Sequence, residues 1–352
     1  MKQTITHRFQ HFALMGIVAL AMLQTACGSK EKTFVFHTPQ EALTACHKEL
    51  SKVKELQNAD MDKLTDITNT WLVLEDSTIS LFMRDSTITP DTEIAVDYFA
   101  VADSFRTEIT RLALAQKRTL SEIVRFKVET SNDRKKIVQS ENYKTASEFY
   151  KKMDAITPYP DLGSTLSEYE KLLTGTNPFQ KEGELHEFIQ KEDRCFRSLL
   201  VFLKETPQDR LQEITNKTSA LFDNLYKNTA ADLDNEVNER VMLYLTMRFN
   251  RRILQNAEVC RKDIKANVKL NEQQANNYRW MIIQPFMTID NYAMASLTDD
   301  QVKMMTELAE ELPRLLSYVD GKDYDRTPKE ETEKLEGVLS EYFLKSYLKS
   351  IL

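Results

Sequence analysis

Residues 94–112 of the chain read IAVDYFAVADSFRTEITRL. Large apolar side chains recur in this stretch every three or four residues, which is the period of one face of an α-helix. They are Ile94, Tyr98, Val101, Phe105, Ile109 and Leu112. Charged and hydroxyl side chains occupy the other faces, so the stretch predicts an amphipathic helix that buries one side against the rest of the protein.

The same helical period recurs along most of the chain, whereas glycine is scarce. Only 7 of the 352 residues are glycine, too few for the many tight turns of a β-sandwich, a barrel or a Rossmann fold. The sequence therefore predicts an all-α protein, built as one elongated antiparallel helical bundle or as two. Two uninterrupted patterns, at 90–129 and 230–269, predict helices of about 40 residues and about 60 Å each.

A repeated dipeptide marks the expected helix starts. A threonine N-cap accepts a hydrogen bond from a free backbone N–H, and proline at the first helical position loses no bond. The five pairs are Thr38-Pro39, Thr89-Pro90, Thr157-Pro158, Thr206-Pro207 and Thr327-Pro328. Thr298 with Gln301 repeats the cap without proline. The clearest interruption, 157–164, predicts one helical region at 38–160 and a second at 161–352, either separate or continuous.

The chain is acidic. Its formal net charge is −7, and removal of residues 1–26, whose formal charges are two basic groups, would leave −9. A surface with this balance is unsuited to the phosphate backbone, so no nucleic acid partner is expected. Arg248, Arg251 and Arg252 fall within a long charged helix and are interpreted as part of its solvent-exposed face.

The N-terminus carries a leader. Two basic residues and no acid occupy positions 1–11, and an uncharged apolar run, FALMGIVALAML, follows at 12–23. The run is shorter than the roughly 20 residues that span a bilayer, and it matches a signal-peptide core. The next residues are Gln24, Thr25, Ala26 and Cys27.

This junction resembles the lipobox of bacterial lipoproteins, although the family prefers leucine where Gln24 stands. The resemblance covers about the first 30 residues, and the remainder resembles no family that we recognise. It implies a signal peptide at 1–26, a lipid on Cys27 and a tether at 27–37. Because Gly28 rather than aspartate follows the cysteine, it also implies the outer membrane of a Gram-negative cell, on either its periplasmic or its cell-surface face. A tether of about ten residues reaches roughly 35 Å, so the body would lie close to the membrane.

Histidine is scarce beyond the leader, and no catalytic or metal-binding motif stands out. His37, His47 and His186 remain, and none has the partner spacing of helical metal sites. No metal, cofactor or catalytic residue is therefore predicted, and the chain is not expected to be an enzyme. The leading hypothesis is a non-enzymatic interaction or scaffold component of the envelope, held by its lipid and bound to a protein partner. A carboxylate-dependent enzyme is one alternative.

A second alternative is a solute- or peptide-binding lipoprotein. The densest group of aromatic residues and methionines surrounds Pro285, whose ring frees a backbone carbonyl within a helix. Tyr278, Trp280 and Phe286 are the residues expected to line a ligand groove there. The same pattern also fits the most deeply buried helix of a bundle.

Three cysteines besides Cys27 lie on apolar helical stripes, which favours buried thiols. They are Cys46, Cys195 and Cys260. Because an envelope compartment is oxidising, a disulfide between Cys195 and Cys260 is the alternative.

Two similar segments read Asp76-Ser77-Thr78 and Asp85-Ser86-Thr87. They resemble the Asp-Ser/Thr sites at which some Gram-negative bacteria glycosylate exported proteins. The resemblance implies glycans on Ser77 and Ser86, with Ser86 favoured because it is expected in a loop. The other interpretation is that the two segments carry no glycan and are an ordinary helix face and an ordinary loop, built from common residues.

Overall fold

A computed structural model describes residues 33–116, 118–131, 134–174, 182–230 and 236–351. These residues form helices joined by turns and loops, without a β-strand, which confirms the all-α prediction. The fourteen described helices are α1 Pro39–Lys54, α2 Met61–Arg84, α3 Glu93–Leu114, α4 Leu120–Glu129, α5 Arg134–Gln139, α6 Glu141–Asp154, α7 Leu162–Thr174, α8 Glu182–Val201, α9 Gln208–Ala230, α10 Glu236–Lys265, α11 Glu272–Thr288, α12 Asn291–Ala295, α13 Asp299–Val319 and α14 Lys329–Ile351.

The predicted cap bonds form at Thr38 and Thr298, whereas Thr89-Pro90 and Thr157-Pro158 do not begin helices, because α3 begins at Glu93 and α7 at Leu162. The Thr38 hydroxyl accepts a 3.2 Å hydrogen bond from the Glu41 N–H at the start of α1. Thr298 and Gln301 form a reciprocal capping box at the start of α13. These bonds join residues three positions apart, so the local sequence is sufficient to specify them.

The predicted helix at 90–129 is wrong in length, because the segment forms two helices. α3 ends at Leu114, and α4 begins at Leu120. The reason is a second capping box, in which the Thr119 hydroxyl accepts from the Glu122 N–H while the Glu122 carboxylate accepts from the Thr119 N–H. Apolar periodicity continues across this junction and therefore conceals the new start.

The predicted helix at 230–269 also ends too late, because α10 stops at Lys265; its 30 described residues span about 45 Å. Asn267 follows it with a left-handed φ of 53°. The Val268 N–H then bonds to the Asp263 carbonyl at 3.1 Å, and the Asn267 N–H bonds to the Ile264 carbonyl at 2.9 Å. This pair of bonds is a Schellman motif, which satisfies the last carbonyls and ends the helix.

Four apolar clusters form the core. The first joins α1, α2 and α3 to parts of α4 and α14, and the second joins α4 and α14 to α10–α13. The third joins α5 and α6 to α8, α9, α10 and α12, and the fourth joins α7, α8 and α9. Three of these clusters contain residues from both sides of residue 160, so shared cores connect the two regions expected from the sequence.

The described part of the tether packs on the protein. Phe34 and Phe36 lie against the first cluster, while Val35 between them is exposed. Across the described ranges, no helix combines the length and apolar character that a bilayer span requires.

Candidate functional site

The three residues expected to form a ligand groove on α11 do not share a cleft. Tyr278 is buried, and its hydroxyl donates a 2.5 Å hydrogen bond to Asp263 Oδ2. Trp280 is 50% exposed. Phe286 is buried, with its ring centroid 5.3 Å from that of Phe343. Since helical residues turn by about 100° each, Tyr278 and Trp280 face nearly opposite directions.

A small cleft does lie beside Tyr278, between α11 and the turn after α8. Its volume is about 180 Å³, below the roughly 300–1,000 Å³ of most small-molecule pockets. Lys204 lines it and donates a 2.9 Å hydrogen bond to Asp263 Oδ1. Asp263 thus joins Lys204 and Tyr278, which holds α10 against both walls of the cleft.

The structure does not form the disulfide between Cys195 and Cys260 that the sequence left open as the alternative to buried thiols. Cys195 lies in the fourth cluster and Cys260 in the second, and both are free, buried thiols. Burial raises the pKa of Cys195 to about 12 and that of Cys46 to about 11. The structure thus agrees with the favoured interpretation of buried thiols; periodicity places each cysteine on an apolar stripe but does not specify which cluster receives the stripe.

The two serines expected to carry glycans have different surroundings. Ser77 lies in the middle of α2, partly buried, and its hydroxyl donates to the Val73 carbonyl at 2.9 Å. Ser86 is exposed in the turn after α2, as expected. Glycosylation at either residue stays a prediction. Cys27, with the rest of 1–32, lies outside the described residues.

A larger cleft lies between α7 and α8, with a volume of about 450 Å³. No sequence pattern predicts this cleft, because it depends on how two separate helices pack. Its lining residues are Ile156, Tyr159, Glu168, Lys171, Leu172, Gln190, Lys191, Arg194 and Cys195. The Arg194 guanidinium stacks 4.1 Å from the centre of the Tyr159 ring, and its Nε donates to the Thr157 carbonyl at 3.0 Å. Of the two clefts, this one has the volume of a small-molecule site.

A buried network of charged groups lies next to this cleft and joins α7, α8 and α10. Glu192 Oε1 accepts a 2.7 Å hydrogen bond from the Tyr169 hydroxyl and pairs with Arg252. Glu192 Oε2 accepts from Arg248 Nε at 3.0 Å. Burial alone would raise the pKa of Glu192, but Arg248 and Arg252 outweigh it and hold the pKa below its usual value. The carboxylate therefore stays ionised inside the protein.

A second carboxylate on α8 extends the network toward α6. Asp193 accepts from Arg251 Nε at 2.9 Å and from Arg197 Nε at 2.8 Å. Arg197 Nη2 also donates to the carbonyls of Met153 and Ile156, at 2.6 and 2.9 Å, where α6 ends. These bonds tie Arg197 of α8 to the C-terminal end of α6.

The expectation that the arginines of α10 form a solvent-exposed face is therefore wrong. The side chains of Arg248, Arg251 and Arg252 are largely buried. Arg248 also stacks on the Phe222 ring and Arg252 on the Phe196 ring. One sequence feature could have predicted this burial: Glu192 and Asp193 lie within an apolar stripe of α8. Carboxylates rarely enter such a stripe unless they are paired with basic groups.

Comparison with protein-family models, with curated proteins and with solved structures gives no match for this chain. Within the residues that the structure describes, no cluster of three or more histidine, cysteine, aspartate or glutamate side chains could hold a metal ion.

Proposed function

We propose that the chain is a lipid-anchored envelope protein that acts as a non-enzymatic interaction or scaffold component at the outer membrane. The observation that carries this proposal is the short spacing between Cys27 and the packed residue Phe34. Seven residues extend at most about 25 Å, so a lipid on Cys27 would hold the helical body close to the bilayer.

The helices next to the tether indicate which end would face the membrane. Cys46 on α1 lies beside Thr78 on α2, and His47 lies beside Asp97 on α3. Farther along both segments, Arg111 near the end of α3 bonds to the carbonyl of Leu56, which follows α1. Because the two contacts occur in the same order along α1 and α3, these helices run in the same direction. The tether, the end of α2 and the start of α3 therefore share one end of this bundle.

Exposed apolar residues support a protein partner. Trp280 and Met287 on α11 are 50% and 45% exposed and lie seven residues apart, on the same face of the helix. Large aromatic residues and methionine are enriched in protein interfaces. We also propose an elongated, antiparallel arrangement of the helices.

Anchoring is tested by mass spectrometry of the mature N-terminus, together with fractionation of a Cys27→Ser variant. A diacylated or triacylated Cys27 and release of the variant from membranes are expected. An unmodified N-terminus, or membrane retention of the variant in full, would contradict the anchor.

Partner binding is tested in cells by a photo-crosslinking amino acid at position 280, with position 303 as the control. Lys303 is exposed on α13, and its side chain lies 4.0 Å from Glu307. A discrete crosslinked species at 280 and none at 303 is expected. Repeated failure to crosslink at position 280 would remove α11 as the binding face.

Ligand binding is the second candidate function. The 450 Å³ cleft between α7 and α8 is the observation that favours it, in place of the groove near Trp280 and Pro285 that the sequence suggested.

A further inference from the structure

We propose that the cleft between α7 and α8 binds a small organic anion, with a carboxylate or phosphate group held by Arg194 and an apolar body resting on the cleft wall. The inference is independent of lipid anchoring, since it depends on residues of α7, α8 and the segment before α7.

Contacts hold the Arg194 side chain in place, but its terminal Nη groups remain available to a ligand. Its Nε bond to the Thr157 carbonyl and its stacking on Tyr159 hold the guanidinium at the cleft. Within the described part of the chain, neither of its Nη groups has a hydrogen-bond partner. A guanidinium presents its donors as a planar fork that fits the two oxygens of a carboxylate or phosphate group. An arginine held in this way binds an anion with little loss of side-chain freedom.

The charge of the cleft fits the same ligand. Lys171, Lys191 and Arg194 line it together with a single acid, Glu168, although the whole chain is acidic. Lys171 pairs with Glu168 at 2.6 Å and Lys191 with Glu187 at 2.7 Å, in both cases at the surface. Exposed ion pairs add little stability, so these lysines can turn toward a bound anion at small cost.

The remaining lining suits an apolar body. Ile156, Leu172 and Tyr159 contribute apolar surface, and Cys195 is a buried thiol at the same cleft. A volume of about 450 Å³ accommodates a compact organic molecule. The neighbouring residues Glu192 and Asp193 anchor α8 to α10, so the helix that carries Arg194 is held in position before a ligand arrives.

The test is isothermal titration of the full mature chain with phenyl phosphate and benzoate, and with the uncharged analogues benzyl alcohol and benzamide. Probes of this size should bind with a Kd on the order of 1 mM. The anions are expected to bind at least about tenfold more tightly than the uncharged analogues, and the difference should shrink as salt is raised.

Variants assign the binding to the cleft. Arg194→Gln should weaken anion binding about tenfold. Arg194→Lys keeps the charge but loses the planar fork of donors, so its anion affinity should lie between those of the wild-type protein and Arg194→Gln. Arg314→Gln is the matched control, because Arg314 also stacks on a tyrosine, Tyr324, but outside the cleft. It should leave anion binding unchanged.

Lys171→Gln provides a readout that does not depend on the stability of the Arg194 variants, since its side chain is 69% exposed. It should weaken anion binding severalfold. Anion binding that is unchanged in both Arg194→Gln and Lys171→Gln, equal binding of charged and uncharged probes, or no anion binding at 20 mM (on the order of 20 times the expected Kd) would overturn the proposal.

Discussion

Glu192 on α8 and Arg248 on α10 form an ion pair inside the protein, with Arg248 Nη2 2.8 Å from Glu192 Oε2 and the two side chains only 2% and 9% exposed. Arg252 and Tyr169 approach the same carboxylate. Transfer of such charges from water is costly, and the arrangement persists because each group satisfies another. The pair therefore makes the packing of α7, α8 and α10 depend on one carboxylate.

Glu192→Gln should destabilise the protein strongly, because Arg248 and Arg252 would keep their buried charges without a counter-charge. The expected loss is about 3–5 kcal/mol of unfolding free energy, measured by urea denaturation. Glu187→Gln is the control on the same helix, since Glu187 is exposed and pairs only with Lys191. Equal losses in the two variants would show that burial of the pair has no special importance.

Glu75→Gln should make the protein more stable at neutral pH. Burial raises the pKa of Glu75 to about 7, whereas an unfolded glutamate titrates near 4.3. The folded state therefore binds the proton more tightly, and the wild-type protein loses stability as pH rises from about 4.5 to 7. Glutamine does not titrate and keeps an oxygen for the Tyr98 hydroxyl, which donates to Glu75 Oε1 at 2.8 Å.

The difference in unfolding free energy between the wild-type protein and Glu75→Gln should thus be small at about pH 4.5. It should reach at most about 3 kcal/mol in favour of Glu75→Gln at about pH 8. Urea denaturation at several pH values measures it. A difference that does not change with pH would contradict the prediction.

Lys127→Met should remove a pH dependence that the wild-type unfolding free energy shows in alkaline solution. Lys127 Nζ is buried beside the Tyr347 ring and donates to the Ile289 carbonyl at 3.0 Å. Burial lowers its pKa to about 8, partly opposed by Asp290. An unfolded lysine titrates near 10.4, so the unfolded state binds more protons and wild-type stability should rise between about pH 8 and 10.4 relative to the variant.

Denaturation of both proteins across this range provides the measurement. Lys303→Met, at an exposed position on α13, should show no such slope relative to wild type. A parallel pH dependence in the wild-type protein and Lys127→Met would exclude the effect.

The three thiols should be inert in the folded protein. At pH 8, Cys46, with a pKa of about 11, would be about one part in a thousand thiolate, and Cys195 less. A disulfide-exchange reagent should therefore react with none of these three thiols in the folded chain and with all three after denaturation, since the described cysteines are all free. Recovery of a single thiol would indicate the disulfide between Cys195 and Cys260.

If Cys27 carries the proposed lipid, the protein should face the bilayer with the end that holds residues 33–37. A fluorophore on Met83→Cys, which is 43% exposed near the end of α2, should be quenched by headgroup nitroxide lipids. A fluorophore on Gln57→Cys, exposed in the turn between α1 and α2 at the other end, should not. Reversed quenching would contradict this orientation while leaving the lipid anchor intact.

A glycan on Ser86 would oppose this orientation, because that residue lies in the loop at the same end. A glycan found on Ser86 by mass spectrometry of the native protein would therefore confirm the glycosylation prediction and contradict this orientation.

The sequence by itself determined the features that depend on neighbouring residues. The helical class follows from apolar periodicity, and caps such as Thr38 and Thr298 follow from bonds that span three residues. The same local chemistry divides α3 from α4 at Thr119, where the capping box could have been recognised from Thr119 and Glu122. The predictions about Cys27 also depend on sequence alone.

Only the tertiary structure decided which polar side chains enter the core. Arg248 is buried because Glu192, 56 residues away, meets it there, and no periodicity in α10 specifies that partner. The exposure of Trp280 and the cleft at Arg194 likewise depend on the packing of separate helices. Local bonds fix where a helix begins and ends, whereas the burial of a charge depends on a partner that only the fold supplies.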